Sequence, residues 1–82
     1  MSESNLDVSI VTPQGILFEG KAQSVILPGE KGVFEVLPNH KPLLSRLLSG
    51  EIMIDDQSIS IRRGCVKVAL NRILVIAEDE DH

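Results

Sequence analysis

Apolar residues recur at every second position along most of the chain. In 6-LDVSIVT-12, Leu6, Val8 and Ile10 alternate with Asp7 and Ser9. A period of two sets one face of a strand on a core and the other in water. The runs 16-ILFEG-20, 22-AQSVILP-28, 33-VFEVL-37, 51-EIMID-55, 58-SISIRR-63, 65-CVKVAL-70 and 73-ILVIA-77 read as further short strands. Turn residues separate them: Pro13-Gln14-Gly15, 29-GEKG-32, Asp56-Gln57 and Asn71-Arg72. Glycines at both ends of 29–32 are expected to supply the positive φ of a tight hairpin. No stretch sustains a helical period. Many short strands at close spacing predict an all-β sandwich or barrel, with no linker and no internal repeat.

Two segments depart from the pattern of one dry and one wet face. In 73-ILVIA-77, Ile73, Val75 and Ala77 share one parity, and Leu74 and Ile76 the other. In 43-LLSRLL-48, Leu43 and Leu47 share one parity, and Leu44 and Leu48 the other. Each sheet of a sandwich has a single inner face, so a strand that is apolar on both sides needs a second cover. A loop folded over the strand or another protein would serve. Between these segments lies 36-VLPNHKPLLSRLLSG-50, whose Pro38 and Pro42 clamp Asn39, His40 and Lys41.

The length, 82 residues, allows one domain with a thin core and little apolar surface to spare for a deep pocket. The net charge of −4 is concentrated at the end, where 78-EDED-81 holds four of the twelve acids. The body is therefore neutral, and the run reads as a solvated tail. Nucleic-acid binding is disfavoured: there is no basic stripe, and Phe18 and Phe34 are the only aromatics. A single cysteine, Cys65, excludes an internal disulfide and reads as a small buried hydrophobe in an apolar run. No segment approaches the length of a membrane-spanning helix, and 1-MSESNLD-7 has no signal-peptide core.

Reactive constellations are missing from the pattern. His40 has no cysteine or second histidine near it in sequence, so it reads as a loop histidine that hydrogen-bonds locally or touches a partner, not as a metal ligand. The Gly-x-x-Gly of 29–32 joins strands, whereas the nucleic-acid clamp of that spelling joins helices. A lipoyl or biotinyl carrier domain is the alternative, with Lys31 at its hairpin tip, but the usual flanks of a modified lysine are absent. No cofactor is expected, and no P-loop or Cys-x-x-Cys is present. The chemistry describes a small interaction domain.

The residues also carry a resemblance. The runs 12-TPQGILFEG-20, 25-VILPGEKGVFEVLPNHKPLL-44 and 61-IRRGCVKVALNRILVIAED-79 resemble the N-terminal β-sandwich domain of the epsilon subunit of F-type ATP synthases. The most specific piece is 32-GVFEVLPNHKPLL-44, which fits the family pattern at Gly32, Phe34, Val36, Pro38, His40, Pro42, Leu43 and Leu44. Glu35 and Asn39 stand where glycine is usual, and Lys41 where alanine is usual. Asparagine tolerates a left-handed backbone, which makes Asn39 a mild change.

The resemblance implies a sandwich of ten strands in two sheets. The expected organisation is a flexible start over residues 1–5, the sandwich over 6–78 and an acidic tail over 79–82. It further implies a non-catalytic rotor subunit of the central stalk that couples ion flow to ATP synthesis. Such a subunit binds the gamma subunit and rests on the ring of membrane-embedded subunits, peripheral to the cytoplasmic face of a bacterial inner membrane and without inserting into it. The ring-facing residues implied are Gly29, Glu30, Lys31, Gly32 and Val33, together with Pro38, Asn39, His40, Lys41 and Pro42. The gamma-facing residues implied are Leu44, Leu48, Leu74 and Ile76, if that leucine parity is the outward one. Family members usually continue as a helical hairpin that regulates ATP hydrolysis. The sequence stops at His82, so no restraint on hydrolysis through such a hairpin is expected.

Overall fold

The computed structural model describes residues 5–79. The strands are β1 (Leu6–Thr12), β2 (Gly15–Ala22), β3 (Val25–Gly29), β4 (Gly32–Val36), β5 (Leu43–Leu47), β6 (Gly50–Ile54), β7 (Gln57–Ala69) and β8 (Arg72–Asp79). Among the described residues there is no helix, and the expected all-β class holds. The expectations for residues 1–4 and 80–82 lie outside the described residues. β8 ends at Asp79, the last described residue.

The hydrogen-bonded order is β2-β1-β8-β7-β5-β3-β4, with β6 joining β3 to β7. β7 turns this path into a sandwich. Its first part pairs with β6 from Gln57 to Ile61, and β6 leads on to β3 and β4. Its second part pairs with β5 from Gly64 to Val68 and with β8 as far as Ala69. β8 then runs parallel to β1, which pairs with β2. The register slips between Ile61 and Arg63. Such a bulge bends a strand and lets it change layer. The sequence reading divided this stretch into two strands, and the resemblance implied ten in all. Among the described residues there are eight, close to that number, and one bent strand serving both layers accounts for one of the difference. At the bend, a Cβ on Gly64 would lie 2.5 Å from the Ile76 carbonyl oxygen.

The core is the set of inward positions of both layers. Val25, Leu27, Val36, Ile52, Ile54 and Ile61 come from one layer. Leu6, Val8, Ile10, Leu47, Val66, Val68, Ile73 and Val75 come from the other. Each such side chain contributes roughly 1.5–3 kcal/mol by leaving water. Both phenylalanines are only partly buried against this aliphatic centre.

Three turns differ in detail from the sequence reading. The β6–β7 turn is Asp55-Asp56, because Ile54 pairs with Gln57. Asp55 takes φ 52°, and its carboxylate accepts the Gln23 and Ser24 N–H groups at 3.0 and 3.1 Å. The β7–β8 turn is Leu70-Asn71, because Ala69 pairs with Arg72. At the Gly29–Gly32 hairpin, Gly32 alone has the positive φ, at 123°. Gly29 is needed for space: a Cβ there would sit 2.7 Å from the Phe34 ring.

Candidate partner-binding surfaces

The two-sided segments resolve into inner and outer faces. In β5, Leu47 is buried and Leu43 packs on the core, whereas Leu44 is 77 % exposed. Leu48, just beyond the strand, is also exposed. In β8, Ile73, Val75 and Ala77 are buried, and Leu74 and Ile76 point outward, 41 % and 53 % exposed. The outward leucine parity is thus Leu44 and Leu48. No described residue provides the second cover that these positions called for.

Pairing aligns the outer positions into rows. Leu44 lies opposite Lys67, Lys67 opposite Leu74, and Leu74 opposite Ser9. One row along, Arg46 lies opposite Cys65, Cys65 opposite Ile76, Ile76 opposite Val11, and Val11 opposite Ile16. Cys65 is exposed, so the sequence reading of a buried hydrophobe is corrected. The reason is parity: Val66 and Val68 take the inward positions of β7. Towards the Leu70-Asn71 turn the same face becomes a wide-open, charged trough of about 1070 Å³ lined in part by Asp7, Glu19, Lys21, Lys67 and Arg72. Lys21 donates to Asp7 at 2.8 Å, and this bond together with the ammonium charge holds the Asp7 carboxyl below its ordinary value.

The other candidate residues flank β4, the strand at one end of the hydrogen-bonded order. Gly29 to Val33 form the hairpin at its start; Glu30 and Lys31 are exposed, and Val33 is 72 % exposed. Pro38 to Pro42 follow its end. The two stretches therefore stand towards opposite ends of one strand, with Phe34, Glu35, Val36 and Leu37 between them. On β4, Glu35 accepts the Ser24 hydroxyl at 2.9 Å.

The proline-clamped loop is ordered by its own hydrogen bonds. His40 N–H donates to the Leu37 carbonyl at 3.1 Å. The His40 ring donates from Nδ1 to the Lys41 carbonyl at 2.6 Å, because a carbonyl can only accept. Nε2 is then the acceptor of the neutral ring. Asn39 has φ 72°, the left-handed conformation its side chain tolerates. Among the described residues no three His, Cys, Asp or Glu side chains converge as a metal site would need. No helix among them is long and apolar enough to cross a membrane.

These features define a class: a small β-sandwich that presents surfaces, with one bare apolar face and an ordered loop beside an edge strand. Residues 5–80 match the family described as the ATP synthase Delta/Epsilon chain, beta-sandwich domain, and the chain belongs to that family. The ATP synthase epsilon chain of Nitratiruptor sp. is 44 % identical over 78 residues, covering 89 % of this chain and 60 % of that protein. That of Campylobacter curvus is 40 % identical with the same coverage. That of Chlorobium limicola is 35 % identical over 83 residues, covering 95 % of this chain and 94 % of that protein. The chain thus spans about 60 % of the first two relatives and nearly all of the third. Two solved assemblies share the fold at low identity. A chain of the Euglena gracilis mitochondrial ATP synthase superposes with a TM-score of 0.83 at 11 % identity, covering 94 % of this chain and 52 % of its own length. A chain of the Tetrahymena thermophila mitochondrial ATP synthase central stalk and c-ring gives 0.76 at 12 % identity, covering 96 % and 67 %. The family decides against the carrier-domain alternative for Lys31.

Proposed function

We propose that this chain is a non-catalytic rotor subunit of the central stalk of an F-type ATP synthase, coupling ion translocation to ATP synthesis. It binds the gamma subunit through the outer face that carries Leu44, Leu48, Leu74 and Ile76. It meets the ring of membrane-embedded subunits through Gly29–Val33 and Pro38–Pro42, on the cytoplasmic face of a bacterial inner membrane. The observation that supports this reading is the uncovered apolar face in a chain of this family. A monomer gains nothing from holding Leu44, Leu74 and Ile76 in water, and large exposed patches mark protein contacts. The prolines at 38 and 42 limit the loop's freedom, so less entropy is lost when it docks.

Cys65 makes the gamma-side reading testable without mutation, because it is the only cysteine and lies between Arg46 and Ile76 on that face. Maleimide labelling is expected to be rapid in the isolated chain and strongly slowed in the assembled synthase. Equal labelling in both would remove this face as the gamma contact. Failure of the tagged chain to co-purify with gamma from the organism that encodes it would remove the stalk reading altogether.

A further inference from the structure

Three separated stretches of chain meet at Asn71. Its main-chain carbonyl accepts the N–H of Asp7 at 2.8 Å, where β1 begins. Its side-chain Oδ1 accepts the N–H of Asn39 at 2.6 Å, in the proline-clamped loop. Its own φ of 61° makes it the second residue of the β7–β8 turn. The two hydrogen bonds of His40 run within the loop, so they shape it without placing it on the sheet. The bond from Asn39 to Asn71 does place it. A short acceptor contact to a main-chain N–H fixes position and direction together.

The turn itself points the same way. The alternation of apolar residues is compatible with a turn at Leu70-Asn71 or one residue later, since either keeps Val66, Val68, Ile73 and Val75 inward. The chain takes the register that forces Leu70, a bulky residue, to φ 52° and leaves it 91 % exposed. Such strain persists only where the surroundings over-determine the conformation. In this register Asn71 occupies the second turn position, from which its side chain receives the loop and its carbonyl receives β1.

We infer that Asn71 is a positioning residue: it holds the Pro38–Pro42 loop in the shape in which that loop docks on the partner. This rests on the reading of the loop as a contact with the membrane ring. Asn71 touches no partner in this account. It acts through Asn39, and through Asn39 on the orientation of His40 and Lys41.

The test uses two substitutions at one site. Asn71→Gly keeps the left-handed backbone, which glycine adopts freely, and removes the acceptor. Asn71→Asp keeps an acceptor oxygen and also tolerates that backbone. His40→Ala serves as an independent probe of the loop. Amide hydrogen exchange of Asn39 is followed by NMR in the isolated full chain. Affinity is measured against synthase complex depleted of this subunit, from the organism that encodes the chain. The expected result is faster Asn39 exchange and an affinity about three- to tenfold weaker for Asn71→Gly, the loss of one hydrogen bond's worth. Asn71→Asp should stay close to the parent in both, and thermal melts of the two variants should lie close together. Unchanged Asn39 protection in Asn71→Gly overturns the inference at the level of the clamp. Unchanged affinity in Asn71→Gly alongside weakened affinity in His40→Ala overturns it while sparing the loop as a contact. Parent-like affinity in both Asn71→Gly and His40→Ala shows that the loop makes no contact, and the inference falls with that reading.

Discussion

Leu70 is the least comfortable residue of the described chain, left-handed at φ 52° and with its side chain almost wholly in water. For a residue with a Cβ that conformation costs about 1–2 kcal/mol, less for asparagine, which bonds locally. Leu70→Asn should therefore stabilise the isolated chain by roughly 0.5–1 kcal/mol, raising Tm by several degrees; a lower Tm would show that Leu70 packs on something. At Asp7 the effect is one of pH. Lys21 lowers the Asp7 carboxyl in the folded state, so the pair's contribution is present above the ordinary aspartate value, about 3.9, and fades as pH falls through the lowered folded value. Both side chains are more than half exposed, so the contribution is small. Asp7→Asn should be slightly less stable than the parent near neutrality, and the gap should shrink as pH falls through the acid range, by thermal melts across that range. A gap that widened in acid would reverse the assignment. Single residues were partly legible in the sequence. Asn39 was readable as a left-handed position, whereas Asn71's contact with it was not, because a link between residues so far apart in sequence has no local signature.

At the scale of elements, alternation did most of the reading. It separated Leu43 and Leu47 from Leu44 and Leu48, and Ile73, Val75 and Ala77 from Leu74 and Ile76, but could not say which set faced inward when both were apolar. Packing decides it, and so sets the expected outcomes. Leu47→Asp places a carboxylate in the core and should unfold the domain or cost several kcal/mol. Leu44→Asp should leave the melt within a few degrees of the parent and weaken gamma binding by about tenfold or more, near 1.4 kcal/mol. Paired melts and pull-downs decide; equal loss of fold in both would reject the outer face as a contact. β7 was the element least legible in sequence. At a bulge the alternation must slip, and here Arg62 and Arg63 are both exposed between inward Ile61 and Val66. In one dimension that slip is indistinguishable from the end of one strand and the start of another.

The whole molecule shows what a period of two leaves open. It gives the class, since strands with one dry face must pair their faces in layers. It does not give the order of strands, because alternation carries no information about neighbours. The first and last strands, β1 and β8, lie side by side in parallel in the same layer. Pairs so distant in sequence must close a long loop before they contribute, which slows folding. Refolding followed by far-ultraviolet circular dichroism should take milliseconds to seconds, the range of other sandwiches; completion within microseconds would contradict the role given to this pair.

The parallel β1–β8 pair also fixes where the polypeptide enters and leaves. Strands that run the same way start at one end of a layer and finish at the other, so Asn5 and Asp79 are separated by the length of β8. At about 3.3 Å per residue, eight residues span roughly 25 Å. Many domains have neighbouring termini and accept circular permutation with a short splice. This one will not: a permutant that joins Asp79 directly to Asn5 and opens elsewhere must give up one of its two central strands. A connector of about eight residues or more bridges the gap, and permutants on either side of that length should divide sharply into unfolded and folded.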